Sequence, residues 1–112
     1  MDPVTQVQVE NTIRELDSLL ERAMHQIRKR ALEAGEADAA FKVCHAKAFL
    51  LADGPVAERE ATALLACESE YVQRKASEAV LLSAQEAGRN LRSRMEGQRS
   101  LAANLRPLVV GS

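Results

Sequence analysis

The stretch FKVCHAKAFLLADGPVAERE, residues 41–60, decides the fold, because an apolar run stops at Asp53-Gly54-Pro55 and a charged segment follows. Gly54 suits the left-handed position just after a helix, and Pro55 suits the first turn of the next helix. Glu58 and Glu60 then fall near the positive end of the new helix dipole. The stretch therefore predicts a turn at residues 53–55 between two helices.

Prolines set the outer limits of those helices. They occur at positions 3, 55 and 107, and a proline inside a helix costs about 3 kcal/mol. The sequence predicts one helix over about residues 5–53, a second over about 56–105, and a short tail at 107–112.

The first stretch keeps a coiled-coil period, with steps that alternate between three and four residues. A strand would need alternation at every second residue, which this stretch does not keep. Every seam position except Arg30 is apolar or small. The seam positions are Ile13, Leu16, Leu20, Ala23, Ile27, Arg30, Ala34, Ala37, Phe41, Cys44, Ala48 and Leu51.

Gly35 lies inside this seam and could break the helix, since glycine costs about 1 kcal/mol relative to alanine. The heptad phase is nevertheless the same on both sides. We favour one long helix, kinked near Gly35 or not; two helices with a tight joint are the alternative.

The second stretch is also helical, but its apolar period is looser, so a strict coiled coil is less well supported there. The residues expected on its packed face are Ala57, Ala61, Leu64, Leu65, Val72, Ala76, Ala79, Val80, Ala87, Leu91, Met95, Leu101 and Leu105.

Two helices joined by so short a turn must run antiparallel, so we predict an all-α, coiled-coil-like helical hairpin forming one domain over residues 1–112. Apolar residues left off the main seam, such as Leu19, Leu32 and Leu50, suggest a further partner. The simplest is a second copy that completes a four-helix bundle. The predicted oligomer or partner interface comprises Ile13, Leu16, Leu20, Ile27, Phe41, Phe49 and Leu50.

The adjacent Cys44 and His45 suggest chemistry at first sight, but on a helix they point about 100° apart. Counting equal steps from Gly54 places Cys44 opposite Leu64, within about a turn of Cys67. Structural zinc needs four ligands, commonly in paired spacings that this chain lacks. There is also no Gly-rich phosphate loop or nucleophile elbow. We therefore expect no metal, no cofactor, no catalytic residue and no enzymatic activity, with both cysteines acting as small apolar residues.

Composition bounds the setting of the protein. The net charge is −1, so no overall field draws it to nucleic acid or an anionic membrane, and no apolar run reaches the ~18 residues of a membrane span. Residues 1–20 do not resemble a secretion signal. We expect a cytoplasmic protein with reduced thiols.

Basic residues concentrate in two segments, and in a hairpin both lie in the half away from the turn. This pattern raises an alternative function, nucleic-acid binding, although no aromatic residue interleaves the arginines. A solvated helix surface is the competing interpretation. The residues concerned are Arg28, Lys29, Arg89, Arg92, Arg94 and Arg99.

Residues 36–106 resemble a group of small helical proteins encoded by tailed phages, generally of unassigned function, from early or recombination gene regions. The resemblance is carried by Ala46–Leu50 (AKAFL), Gly54, Ala57–Arg59 (AER) and Leu91–Ser93 (LRS). It implies a viral protein in a bacterial host cytoplasm, with either a host or phage protein partner or an accessory role in recombination or replication. It implies no catalytic residue.

Overall fold

A computed structural model describes the backbone of residues 5–110 and the side chains of residues 5–105. These residues form three helices and no strand: α1 (Gln6–Leu51), α2 (Val56–Ala66) and α3 (Glu68–Val110). The long helices α1 and α3 pack against each other, which confirms the predicted all-α helical hairpin. The predicted lead before residue 5 and residues 111–112 lie outside the described residues.

Helix α1 begins with a capping box. The backbone N–H of Gln8 donates to Thr5 Oγ1 (3.1 Å), and the backbone N–H of Thr5 donates to Gln8 Oε1 (2.8 Å). The two side chains thus satisfy amides that the first helical turn leaves unpaired. The helix then continues through Gly35 to Leu51, so the favoured single helix is confirmed.

The turn after α1 depends on Gly54, whose φ is +104°. Residues that carry a side chain rarely adopt this backbone conformation. A Cβ on Gly54 would also lie 2.8 Å from Glu58 Oε2. Pro55 precedes the first residue of α2. The predicted turn is therefore present, although α1 ends at Leu51 rather than at residue 53. Leu51, the last residue of α1, is 84% exposed and does not pack on the seam as expected.

The second predicted helix needs correction in two places. It is broken at Cys67, whose φ of −111° and ψ of 30° are not helical, so α2 ends at Ala66 and α3 starts at Glu68. Glu68 and Glu70 then lie in the first turn of α3, where carboxylates favour a new helix start. At the other end, α3 passes through Pro107 to Val110, since a proline inside a helix can kink it instead of ending it.

The packed face of the second half also differs from the prediction. A buried or half-buried residue recurs at a strict three–four spacing along the second half, and several residues of this series are polar; Arg59, Glu78, Gln85 and Leu101 are half-buried outside it. Long polar side chains can cover a neighbouring helix with their aliphatic stems, which a hydrophobicity pattern does not register. The observed positions are Ala63, Cys67, Glu70, Arg74, Ser77, Leu81, Ala84, Gly88, Leu91, Met95, Gln98, Ala102 and Leu105. All nine residues predicted for this face before Leu91 are exposed instead, Leu65 among them at 75%.

The chain divides into two compact units, which we call the turn unit (residues 28–83) and the terminal unit (residues 1–27 and 84–112). The core of the terminal unit contains Val9, Leu16, Met95 and Ala102. Here α1 and α3 approach closely. A Cβ built on Gly88 would lie only 2.9 Å from Ile27 Cδ1. The core of the turn unit is made of small residues, Ala34, Ala37, Ala63 and Cys67.

Candidate interaction surface beside a disulfide

A disulfide bond joins Cys44 on α1 to Cys67, with their Cα atoms 6.0 Å apart. The sequence correctly placed the two cysteines within about a turn of each other, but the prediction of reduced thiols is wrong. The hairpin register, with the helix break at Cys67, brings both sulfurs together at the seam. Cys67 is fully buried.

The disulfide also bears on metal binding. Ligand atoms of Cys44, Cys67 and Glu70 lie within 4.8 Å of one another. Metals bind thiolates, and sulfurs bonded to each other are not thiolates. After reduction, these three residues would be one ligand short of a structural zinc site. His45 lies beside Glu60 instead, with Nε2 3.7 Å from Oε2.

Next to the disulfide, the three Phe and Tyr residues of the chain and one histidine form a series of ring contacts. The Phe41 ring lies 5.7 Å from the Tyr71 ring in an edge-on arrangement and 5.7 Å from His45. His45 in turn stacks on Phe49 at 6.3 Å. Phe41, His45 and Phe49 follow one another at steps of four along α1, so they form one ridge on that helix. We call these four residues the aromatic cluster.

Two arginines hold this cluster against α2 and α3. The Arg59 guanidinium lies 4.3 Å from the centre of the Phe49 ring, and that of Arg74 lies 5.1 Å from the centre of Phe41. Cations over aromatic faces stabilise by roughly 0.5–1 kcal/mol at exposed sites. Arg59 and Phe49 are equally distant from Gly54 in sequence, so counting from the turn could have predicted their contact. No comparable signal marks Arg74.

Asp38 forms ion pairs with Lys42 and with Arg74, the arginine beside Phe41. Its Oδ2 lies 2.9 Å from Lys42 Nζ, and its Oδ1 lies 2.8 Å from Arg74 Nε. Arg74 Nε is shielded from water and faces Asp38 as an ion pair rather than in hydrogen-bond geometry. The hydrogen bond from Lys42, with the positive charges of Lys42 and Arg74, lowers the pKa of Asp38 below its ordinary value.

The turn unit carries most of the exposed apolar surface. Among the described residues, every exposed large apolar side chain except Val7 and Leu19 lies in it. On α1, Leu32, Val43 and Leu50 lie in one line with the exposed Glu36, Ala39 and Ala46, and we call this line the outer α1 stripe. A second line, the outer α2–α3 stripe, consists of Leu65, Ser69, Val72, Ala76 and Ala79.

The residues predicted as an oligomer interface divide between the core and the surface. In the terminal unit Leu16 is buried, and Ile13, Leu20 and Ile27 are half-buried within the hairpin seam. That part of the interface prediction needs correction for Leu16, because a buried side chain cannot also meet a partner. In the turn unit Phe41 and Phe49 are half-buried in the aromatic cluster, whereas Leu50 is 75% exposed.

The residues predicted for nucleic-acid contact are all exposed, and they are divided between the two units. Arg28 and Lys29 belong to the turn unit, and Arg89, Arg92, Arg94 and Arg99 to the terminal unit. Arg89, Arg92 and Arg99 line shallow depressions along α1, and Arg92 Nη2 donates to Met24 Sδ (3.0 Å).

Arg94 lies about 200° around the helix from Arg92, on the other side of the seam. None of Arg89, Arg92, Arg94 and Arg99 forms an ion pair with another residue whose side chain is described.

Comparisons with protein-family models, curated proteins and solved structures found no match to this chain. Within residues 5–110, no helix combines the length and apolar character needed to cross a bilayer.

Proposed function

We propose that this protein is a small helical protein–protein interaction module that assembles with itself and binds another protein through its turn unit. The observation that carries the proposal is the concentration of exposed apolar side chains in residues 28–83. Contiguous exposed apolar surface commonly marks an interaction site, whereas scattered single residues do not. The proposal includes no catalytic step.

The surroundings of this surface also favour binding. The disulfide, the aromatic cluster and the Arg59 and Arg74 contacts fix the ends of α1, α2 and α3 around the turn. A rigid surface loses less conformational entropy on association than a flexible one. The resemblance to small phage proteins supports a partner from a bacterial host or a phage.

The test is capture of a partner by the immobilised protein from a bacterial lysate, followed by affinity measurement with the purified partner. We expect Leu65→Ser with Val72→Ser to weaken binding by at least about tenfold, because both side chains are exposed members of the outer α2–α3 stripe. Leu19→Ser in the terminal unit is the matched control and should leave the affinity unchanged. Equal effects of the two changes would contradict the proposal.

Nucleic-acid binding is the second candidate function. It is supported by the exposed Arg89, Arg92 and Arg99, which line the same side of the terminal unit and form no ion pair with a described side chain, while Glu96 lines the same depression as Arg92 and Arg99. A labelled oligonucleotide titrated at two salt concentrations tests it, since phosphate contacts weaken as salt rises. Arg92→Glu with Arg99→Glu should abolish binding, and Arg94→Glu is the control. Absence of binding at low salt would eliminate this candidate.

A further inference from the structure

The outer α1 stripe has the spacing of a coiled-coil seam. From Leu32 to Leu50 its members follow at alternating steps of four and three residues, on the side of α1 away from the hairpin seam. Leu32 is 65% exposed, Val43 53% and Leu50 75%. Within the turn unit, α1 therefore carries two heptad faces, one covered by α2 and α3 and one uncovered.

The outer α1 stripe is complementary to the same stripe of a second copy that runs in the opposite direction. In an antiparallel pair of α1 helices centred between Ala39 and Val43, Leu32 lies opposite Leu50 of the partner subunit. Ala39 lies opposite Val43 of the partner subunit, so a small residue meets a larger one. The two-fold symmetry repeats both contacts, which places leucine pairs at both ends of the stripe.

The residues that flank the stripe are complementary in charge in the same register. Glu33 faces Lys47 of the partner subunit, and symmetry supplies the pair twice. Lys47 is exposed and forms no ion pair with another described side chain, while Glu33 already accepts a hydrogen bond from Arg30 (3.0 Å). Lys42 would approach its symmetry equivalent, but Asp38 lies 2.9 Å from its ammonium group and offsets that charge.

Glycine and phenylalanine are matched in shape across the same pair. Gly35 is exposed, and a Cβ built on it would meet nothing within 4 Å. In this register Gly35 faces Phe49 of the partner subunit. The absent side chain leaves room for the half-buried Phe49 ring, whose centre lies 4.3 Å from the Arg59 guanidinium of its own copy.

We infer that a second copy of this chain covers the outer α1 stripe, so that two α1 helices pair antiparallel about a two-fold axis between Ala39 and Val43. This inference rests on the proposed interaction function and specifies its self-assembling surface. The outer α2–α3 stripe is not self-complementary to the same degree, because an antiparallel pair that places its single leucine, Leu65, opposite a leucine must be centred on Leu65 itself and leaves the rest of the stripe unpaired. That second stripe remains free for the other protein.

Sedimentation velocity over a range of concentrations tests the dimer. We expect a reversible monomer–dimer equilibrium in which Leu50→Ser raises the dissociation constant on the order of 100-fold, since symmetry removes two apolar contacts. Leu65→Ser, equally exposed but on the other stripe, is the control and should leave the constant unchanged. A monomer at every concentration, or dissociation by Leu65→Ser and not by Leu50→Ser, would overturn the inference.

A charge exchange tests the register. Lys47→Glu alone should weaken the dimer, because it places two carboxylates opposite each other, and adding Glu33→Lys should restore it. Circular dichroism on each variant shows whether helix content is retained. Restoration in the double variant supports the register; a double variant weaker than the single one would refute it.

Cysteine cross-linking tests the helix direction. Glu36 of one copy faces Ala46 of the partner subunit, so a mixture of Glu36→Cys and Ala46→Cys proteins should form a disulfide-linked dimer. Each variant alone should not form this dimer, because the introduced cysteines of its two copies lie about 15 Å apart along the paired helices. A parallel pair would instead cross-link each variant alone. None of these results depends on binding of another protein through Leu65 and Val72, so failure of this dimer and failure of the proposed partner binding are distinguishable.

Discussion

Arg59 donates two hydrogen bonds to the backbone carbonyl oxygen of Phe49, from Nε at 3.3 Å and from Nη2 at 3.1 Å. This carbonyl is among the last of α1, whose final turns leave acceptors without helical partners. A positive charge is also favourable at the C-terminal end of a helix dipole. The first turns of α2 thus close the end of α1.

We expect Arg59→Ala to lower the free energy of unfolding by about 1.5–3 kcal/mol, because it removes charged hydrogen bonds to a half-buried acceptor. The free energy of unfolding of Arg59→Lys should lie between those of wild type and Arg59→Ala, since lysine keeps the charge but lacks the planar pair of donors. Denaturant unfolding measures the effect. Arg22→Ala, at an exposed position on α1, is the control, and a loss no larger than its own would contradict the assigned role of Arg59.

Reduction of the Cys44–Cys67 disulfide should lower the free energy of unfolding by about 3 kcal/mol, given the 23-residue separation that it closes. Unfolding curves with and without reductant measure this difference. A variant with Cys44→Ala and Cys67→Ala should not respond to reductant. Thiol titration of the unfolded, unreduced protein should find no free thiol; two thiols per chain would contradict the disulfide.

Asp38 should make stability depend on pH in the acid range. Its pKa is lowered in the folded protein, so its contribution is present above the pKa of the unfolded chain and is lost as pH falls through the folded value. Wild type should therefore be more stable than Asp38→Asn at pH 6, and the difference should shrink below about pH 4. Thermal unfolding of both proteins across this range measures it; a difference that does not change with pH would contradict the ion pair.

Two glycines of α3 should respond differently to alanine. A Cβ on Gly97 meets nothing within 4 Å, so Gly97→Ala should stabilise the protein by about 1 kcal/mol through helix propensity. Gly88→Ala should gain less, because Ile27 Cδ1 would lie 2.9 Å away and must move. Denaturant unfolding of both variants compares them. Equal gains would show that α1 and α3 are not closely packed at Gly88.

The sequence was sufficient for the hairpin because its signals are local. Gly54 and Pro55 each favour one backbone conformation. The seam of α1 from Ile13 to Ala48 consists almost entirely of apolar or small residues. Both features need no knowledge of tertiary contacts.

The phase of α3 depended on tertiary packing and was missed. Its seam includes Arg74 and Ser77, which a hydrophobicity pattern assigns to solvent, while Leu65 and Val72 stay exposed. The break at Cys67 lacks a glycine or proline that would have marked it. Of the contacts around the aromatic cluster, only that of Phe49 with Arg59 could have been predicted by counting residues from the turn. The position of Arg74 depends on where α3 begins after the break.

The disulfide also changes what a protease could do to this protein. Cys44 and Cys67 enclose the whole turn, including Asp53, Gly54 and Pro55. A peptide bond cut anywhere between the two cysteines would leave the N-terminal and C-terminal fragments covalently joined. The cleaved protein would run as one molecule until a reductant separated it into two, so its survival after cleavage would depend on the redox state of its surroundings.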